Sequence, residues 1–190
     1  MELMEAIHGR RSIRRFKPDP VPRAVLEEVL EAAMWAPSGM NRQDWRFVVV
    51  TGDPLKALLS AFEGAFEWLK PILEKQFPDK PKIVEGMRGF LSTMGGAPVV
   101  ILAYAGKAAN GNDDICSTAV AVQNLLLAAY EKGLGAVWTD GAVSNEKRIN
   151  EISGVTDMKL VTVVPMGYPD QDPKTPPRRP DRVTWLGFGE

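Results

Sequence analysis

The chain has 190 residues and a formal net charge of -1, with one cysteine and one histidine. That length sets a single domain of ordinary size, and the balanced charge excludes a nucleic-acid module built on a broad basic face. With only His8 and Cys116 on hand, a Cys/His zinc site, a two-histidine iron site and an internal disulfide are excluded as well.

No apolar run reaches the ~20 residues of a membrane span. The opening Met-Glu-Leu-Met-Glu lacks the pattern of a secretory signal. No membrane partner and a cytoplasmic location are therefore expected. Ser-His-Asp chemistry would have to use His8, and nothing around it resembles a nucleophile elbow. Cys116 sits in the apolar stretch Ile-Cys-Ser-Thr-Ala-Val and reads as a small buried hydrophobe. An enzyme with this inventory needs a bound cofactor to carry its chemistry.

Residues 2–8 read as a short helix with Leu3, Met4 and Ile7 on one side. A second helix opens near Pro22 and carries Val25, Leu26, Val29, Leu30, Ala33 and Met34 at a 3.6-residue period, stopping before Pro37-Ser-Gly. Residues 46–51 form a strand, apolar enough to predict a central place in a sheet. A helix runs from Asp53 to about Leu59. Residues 60–92 predict a helical excursion in pieces, broken at Pro71, Pro78 and Pro81, with one short helix over 82–91. Its aromatics Phe66, Trp68 and Phe77 fit either a lid or a packed helical edge.

Val99–Tyr104 is the second strand. Asp113–Lys132 is the longest helix, apolar nearly all round, as in a buried or interface helix, and it stops at Gly133. Short strands follow at 136–139 and 159–166, with a helix over 145–152 between them. From Tyr168 to Pro180 the chain has five prolines in thirteen residues. This backbone is extended and is no interior strand. It is either disordered or laid across another surface, and Arg182–Trp185 reads as a terminal edge strand.

Four segments carry candidate chemistry. His8-Gly-Arg-Arg-Ser-Ile-Arg-Arg-Phe-Lys17 packs four arginines into ten residues of a slightly acidic protein. Guanidinium forks match phosphate and stay charged at any working pH, so the cluster fits one compact anion; by itself it is equally a solvated charge run. Ala36-Pro-Ser-Gly-Met-Asn-Arg-Gln-Asp-Trp45 offers hydroxyl and amide groups to polar ring edges, or is a well-capped turn. Gly133-Leu-Gly-Ala-Val-Trp-Thr-Asp-Gly141 follows a helix and enters a strand, the reverse of a dinucleotide fingerprint, so a Rossmann reading is poor; Gly141 would let a ligand approach the backbone. Pro176-Pro-Arg-Arg-Pro180 brings two more arginines, or is a solvated tail.

In this order and spacing the four segments resemble the nitroreductase family of flavin mononucleotide (FMN) enzymes over nearly the whole chain. Arg10-Arg-Ser-Ile-Arg-Arg-Phe16 is similar to its first motif and Pro37-Ser38-x-x-Asn41-x-Gln43-x-Trp45 to its second. The Gly-Leu-Gly-x-x-Trp segment and the Gly-Tyr-Pro…Pro-Arg-Arg-Pro ending complete the set. The resemblance implies an α+β fold, a three-layer α-β-α sandwich with a mostly antiparallel central sheet, formed by residues 1–190 as one domain. It also implies an intertwined homodimer with FMN at the subunit interface, and a tail over 167–190 that contacts the partner subunit.

Carried over, Arg10, Arg11 and Ser12 are expected near the flavin phosphate and ribityl chain, with Arg178 closing the phosphate site. Arg14 is expected at the pyrimidine edge of the ring, where a cation favours reduction. Pro37, Ser38, Gly39 and Asn41 would come from the other subunit. Asp140 and Gly141 would lie by flavin N5, and residues 60–92 near the flavin. Asp44 stands where many relatives have proline. Pro176 stands where some have lysine, which shifts weight to Arg10, Arg11 and Arg178, with Lys174 a substitute.

The implied activity is hydride transfer from NAD(P)H through the flavin to an electron-poor small molecule, such as a nitroaromatic or quinone, in a ping-pong cycle. Dehalogenation, dehydrogenation or flavin breakdown on the same scaffold, or a non-enzymatic flavin sensor, are the alternatives. No side chain is expected to act as a catalytic acid or base, and no metal is expected.

Overall fold

The computed structural model describes residues 1–187. In chain order the elements are α1 (Leu3–Gly9), α2 (Arg23–Met34), β1 (Trp45–Val50), α3 (Gly52–Gln76), α4 (Pro81–Thr93), β2 (Val99–Ala105), α5 (Ile115–Glu131), β3 (Gly135–Ala136), α6 (Glu146–Ser153) and β4 (Lys159–Gly167). The strands form one antiparallel sheet in the order β1-β2-β4-β3.

Alternation along β2 builds the layers, since successive side chains point to opposite faces of a strand. Val100, Leu102 and Tyr104 pack in one core with Leu58 and Phe62 of α3 and Leu91 of α4. Val99, Ile101 and Ala103 pack in the other, with Leu26 and Val29 of α2 and Val122 and Leu125 of α5. Each such side chain stabilises the fold by ~1.5–3 kcal/mol on burial. The result is the expected α+β three-layer sandwich. Among the described residues no helix is long and apolar enough to cross a membrane.

Several local expectations change. The pieces expected between 53 and 76 are one helix of 25 residues that runs through Pro71. Proline removes one hydrogen bond and leaves the carbonyl of the residue four before it without its helical donor. Here Pro71 and Glu67 both lie on the exposed side, where water satisfies that carbonyl, while Phe62, Phe66 and Leu73 anchor the buried side.

Strand β1 is apolar, yet it is an edge strand rather than a central one. Side-chain polarity reports on the two faces of a sheet and says nothing about neighbours along its hydrogen bonds. The strand expected over 136–139 shrinks to Gly135–Ala136, with a separate bridge from Thr139 to Val163. Residues 182–185 form no strand. Cys116 is exposed, not buried, because Asp114 caps α5 through the Ser117 N–H (3.1 Å) and sets the helix phase so that Thr118, Ala121 and Val122 face inward. Helix α1 buries Ala6, while Leu3, Met4 and Ile7 are exposed.

Candidate functional site

The arginine segment leaves α1 as extended chain. Buried Ile13 and Phe16 pin it to the core. The Ile13 N–H donates to the Ala136 carbonyl (3.1 Å), the Phe16 N–H to Gly95 (3.0 Å) and the Lys17 N–H to Tyr168 (2.9 Å). The start of the tail closes over it. Asp170 N–H donates to the Arg15 carbonyl (2.9 Å), and Gln171 Oε1 accepts from the Arg14 N–H (3.2 Å). With Ile13 and Phe16 turned inward, the arginines point outward on two sides of the same strip.

Arg10 and Arg11 line a cavity of about 380 Å³ with Ile13, Leu126, Tyr130, Gly135, Gln171 and Asp172. Arg11 is held by the Arg10 carbonyl (2.6 Å) and by the Thr175 hydroxyl. Burial, and then the charges of Arg11 and Arg178, hold the Arg10 guanidinium below its ordinary pKa. Arg10 and Arg11 thus share this cavity, and Arg178, exposed on the tail, adds its charge near Arg10. Among the described residues none of the three forms a salt bridge, whereas Arg15 does, with Asp170 at 3.0 Å. Two half-buried guanidinium groups side by side, Arg10 and Arg11, are costly by themselves and favourable around an anion. A phosphate monoester fits this donor set.

Arg14 enters a second cavity, of about 160 Å³, together with Trp138, Asp140 and Gly141. Leu69 and Leu73 of α3 and Phe90 of α4 complete its apolar wall. The indole N–H of Trp138 donates to the Asp140 carboxylate. Segment 60–92 thus reaches the site, through Leu69, Leu73, Met87 and Phe90 rather than through Phe66, Trp68 or Phe77. Leu69 packs against Gly141, its Cδ2 2.7 Å from where a Cβ would stand, and both residues line the cavity.

The other predicted residues are placed differently. Ser12 lines neither cavity; it bridges to Ala136, and its carbonyl accepts from Gln171 Nε2 (3.5 Å). Pro37, Ser38, Gly39 and Asn41 also line neither cavity. Their loop is fastened instead to the start of α5: Arg42 reaches Asp44 (2.5 Å) and Asp114 (3.0 Å), and Ser38 Oγ accepts from the Gln43 N–H (2.9 Å). Met40, Asn41 and Gln43 all have φ near +54°, from 53° to 55°, a left-handed conformation that non-glycine residues adopt at a cost of ~1–3 kcal/mol each and that gathers at functional loops. Asp44, the departure from the family pattern, is one of the carboxylates that hold this loop.

Tyr130 and Gln171 were not foreseeable as site residues from local motifs, although Tyr130 stands out as a polar-tipped residue in an apolar helix. The last three residues of the predicted tail, 188–190, lie outside the described residues. Within the described part, 167–187, Tyr168, Asp170, Gln171 and Thr175 contact this chain's own arginine segment.

The comparisons with known proteins agree with this arrangement. The Bacillus subtilis protein named "Putative NAD(P)H nitroreductase YfhC" is 35% identical over 188 residues, covering 96% of this chain and 93% of the relative. An iodotyrosine deiodinase of Thermotoga neapolitana is 36% identical over 188 residues, with 90% of each chain covered. A Desulfovibrio desulfuricans protein solved in complex with FMN superposes with a TM-score of 0.76 at 26% identity, covering 100% of this chain and 99% of that one. The model of the nitroreductase family matches residues 7–168. With that match, the antiparallel three-layer core and the arginine segment clamped beneath the tail, the chain belongs to the nitroreductase family.

Proposed function

We propose that the protein is a cytoplasmic FMN-dependent oxidoreductase that uses NAD(P)H to reduce an electron-poor small molecule such as a nitroaromatic or quinone. The observation that carries this reading is the pair of guanidinium groups without a salt bridge, Arg10 and Arg11, in one cavity on the strip that also delivers Arg14 to the cavity of Asp140 and Gly141, with Arg178 of the tail adding its charge near Arg10. Relatives named as NAD(P)H nitroreductases and the FMN complex of similar fold support it.

Arg10, Arg11 and Arg178 would hold the flavin phosphate, with Ser12 beside the ribityl chain. Arg14 would face the pyrimidine edge, where a fixed cation favours a neighbouring group in its anionic form. Asp140 and Gly141 would lie by N5. FMN, when bound, supplies a two-electron carrier that takes hydride from a nicotinamide and gives it to an acceptor. The chain's own contribution is to bind, to orient and to exclude water, which Leu69, Leu73 and Phe90 do as an apolar wall.

In this reading two copies form the working unit, and Pro37, Ser38, Gly39 and Asn41 serve the partner's flavin. Trp35, just before that loop, and Met40, within it, are 80% and 77% exposed, and Leu3, Met4, Ile7, Ile115 and Val120 are exposed too. Such apolar surface calls for a cover. The outer edge of β1, which pairs only with β2 in the sheet of the described residues, fits a tail laid on it by the partner subunit.

Absorption spectroscopy of the purified protein tests the reading. Flavin bands that bleach on anaerobic addition of NADH or NADPH, with parallel initial-rate lines in turnover, are the expected result. A colourless protein that takes up no added FMN overturns it. Reductive dehalogenation is the second reading, favoured by the deiodinase relative; release of halide from a halogenated phenol, with no turnover of nitroaromatics, would select it.

A further inference from the structure

Tyr130 occupies the last turn of α5, and Gly9 the last residue of α1. The two touch closely. A Cβ added to Gly9 would overlap the Tyr130 hydroxyl and come within 2.7 Å of the ring carbon that bears it. This contact gives the glycine of His8-Gly-Arg-Arg a steric reason, because any side chain there would push the phenol away. The hydroxyl is thereby seated on the backbone one residue before Arg10.

Tyr130 is half-buried and lines the 380 Å³ cavity beside Arg10 and Arg11. Its hydroxyl makes no hydrogen bond to any described residue. Tyrosine buries an apolar ring and keeps a polar tip that normally finds a partner. Of the other polar side chains of this wall, Arg10 and Arg11 only donate, Gln171 Oε1 already accepts from the Arg14 N–H, and the Asp172 carboxylate makes no bond to the phenol. An anion drawn in by the guanidinium groups offers the acceptor that the phenol lacks.

We propose that Tyr130 is a ligand-binding residue whose O–H donates to the phosphate monoester held by Arg10, Arg11 and Arg178. This rests on the FMN reading above and adds to it a donor from α5. The contact is to phosphate alone, so it separates FMN from riboflavin, which shares the ring and ribityl chain and lacks the phosphate.

The test is titration of the full-length apoprotein with FMN and with riboflavin, followed by flavin fluorescence, for the native chain and Tyr130→Phe. A hydrogen bond to a charged group predicts about tenfold weaker FMN binding in the variant, with riboflavin affinity within about twofold of native by the same scale. Unchanged riboflavin affinity also shows that the site is folded. Equal FMN affinities in the two proteins overturn the proposal, as does an equal loss for both flavins, which would make Tyr130 a packing residue. A native chain that binds neither flavin overturns the FMN reading, and this proposal with it.

Discussion

At the scale of single residues, the arginine strip depends on backbone approaches that allow no side chain. Gly95 is the sharpest case. Its φ is +67°, a Cβ there would overlap the Arg14 carbonyl oxygen, and its own carbonyl accepts from the Phe16 N–H at 3.0 Å. Gly95→Ala therefore meets both a left-handed backbone penalty and a clash with main chain that cannot rotate away. The expected result is a loss of about 2–4 kcal/mol in denaturant unfolding, with weaker FMN binding because Arg14 shifts. A variant as stable as the native chain would show that the strip moves freely. Arg10, Arg11, Arg14, Asp140 and Gly141 were legible in the sequence because their chemistry lies in short local motifs. Tyr130, Leu69 and Gln171 were not, because each reaches the site by packing from an element far along the chain, and no local pattern encodes that meeting.

At the scale of elements, the sequence shows where helices and strands lie better than what they do to one another. The apolar period marked α2, a surface apolar nearly all round marked α5, and the uninterrupted apolar run marked β2. Pro71 misled, since a proline on the wet side of a helix anchored by Phe66 and Leu73 costs too little to break it. The loop of residues 37–43 shows the same limit. Its ligand-type side chains are visible in the sequence, but the fastening through Arg42 to Asp44 and Asp114 is a tertiary fact.

That fastening has a pH signature. Asp114 is held below its ordinary pKa by the Ser117 hydroxyl, then by the Ser117 N–H and by Arg42. A carboxyl lowered on folding contributes stability that is fully present above its unfolded pKa of ~3.9 and is lost as pH falls toward the lower folded value. Asp114→Asn keeps a capping oxygen and removes the charge. Denaturation midpoints should place the variant below the native chain at neutral pH, and the gap should close below about pH 4. A gap that stays constant down to pH 3 would mean the carboxylate charge plays no part.

At the scale of the whole molecule, the site lies at a seam, between β3 at the edge of the sheet, the extended strip and the first residues after β4. Both cores close without the tail, since their buried members end at Met166. The contacts of Tyr168, Asp170 and Gln171 then lock the strip, and only beyond them does the tail bring the Thr175 hydroxyl to Arg11 and the charge of Arg178 near Arg10. Folding and ligand binding are thus assigned to successive parts of one chain. A chain ending at Gln171 keeps the clamp and should retain the helical and sheet content and most of the thermal stability of the flavin-free protein. It loses Arg178 and the Thr175 brace on Arg11, so FMN affinity should fall by at least tenfold for a lost charge-assisted contact. Without the segment proposed to cross to the partner, its dimer should dissociate at higher concentration than the native one. The rise in melting temperature on adding FMN, which follows ligand concentration relative to Kd, should shrink in step. Light scattering and melting curves at several FMN concentrations measure all of this in one preparation. A truncated chain that dimerises and is stabilised by FMN like the native one would remove the tail from both the cofactor site and the interface, and would leave Arg10, Arg11 and Tyr130 as the phosphate site.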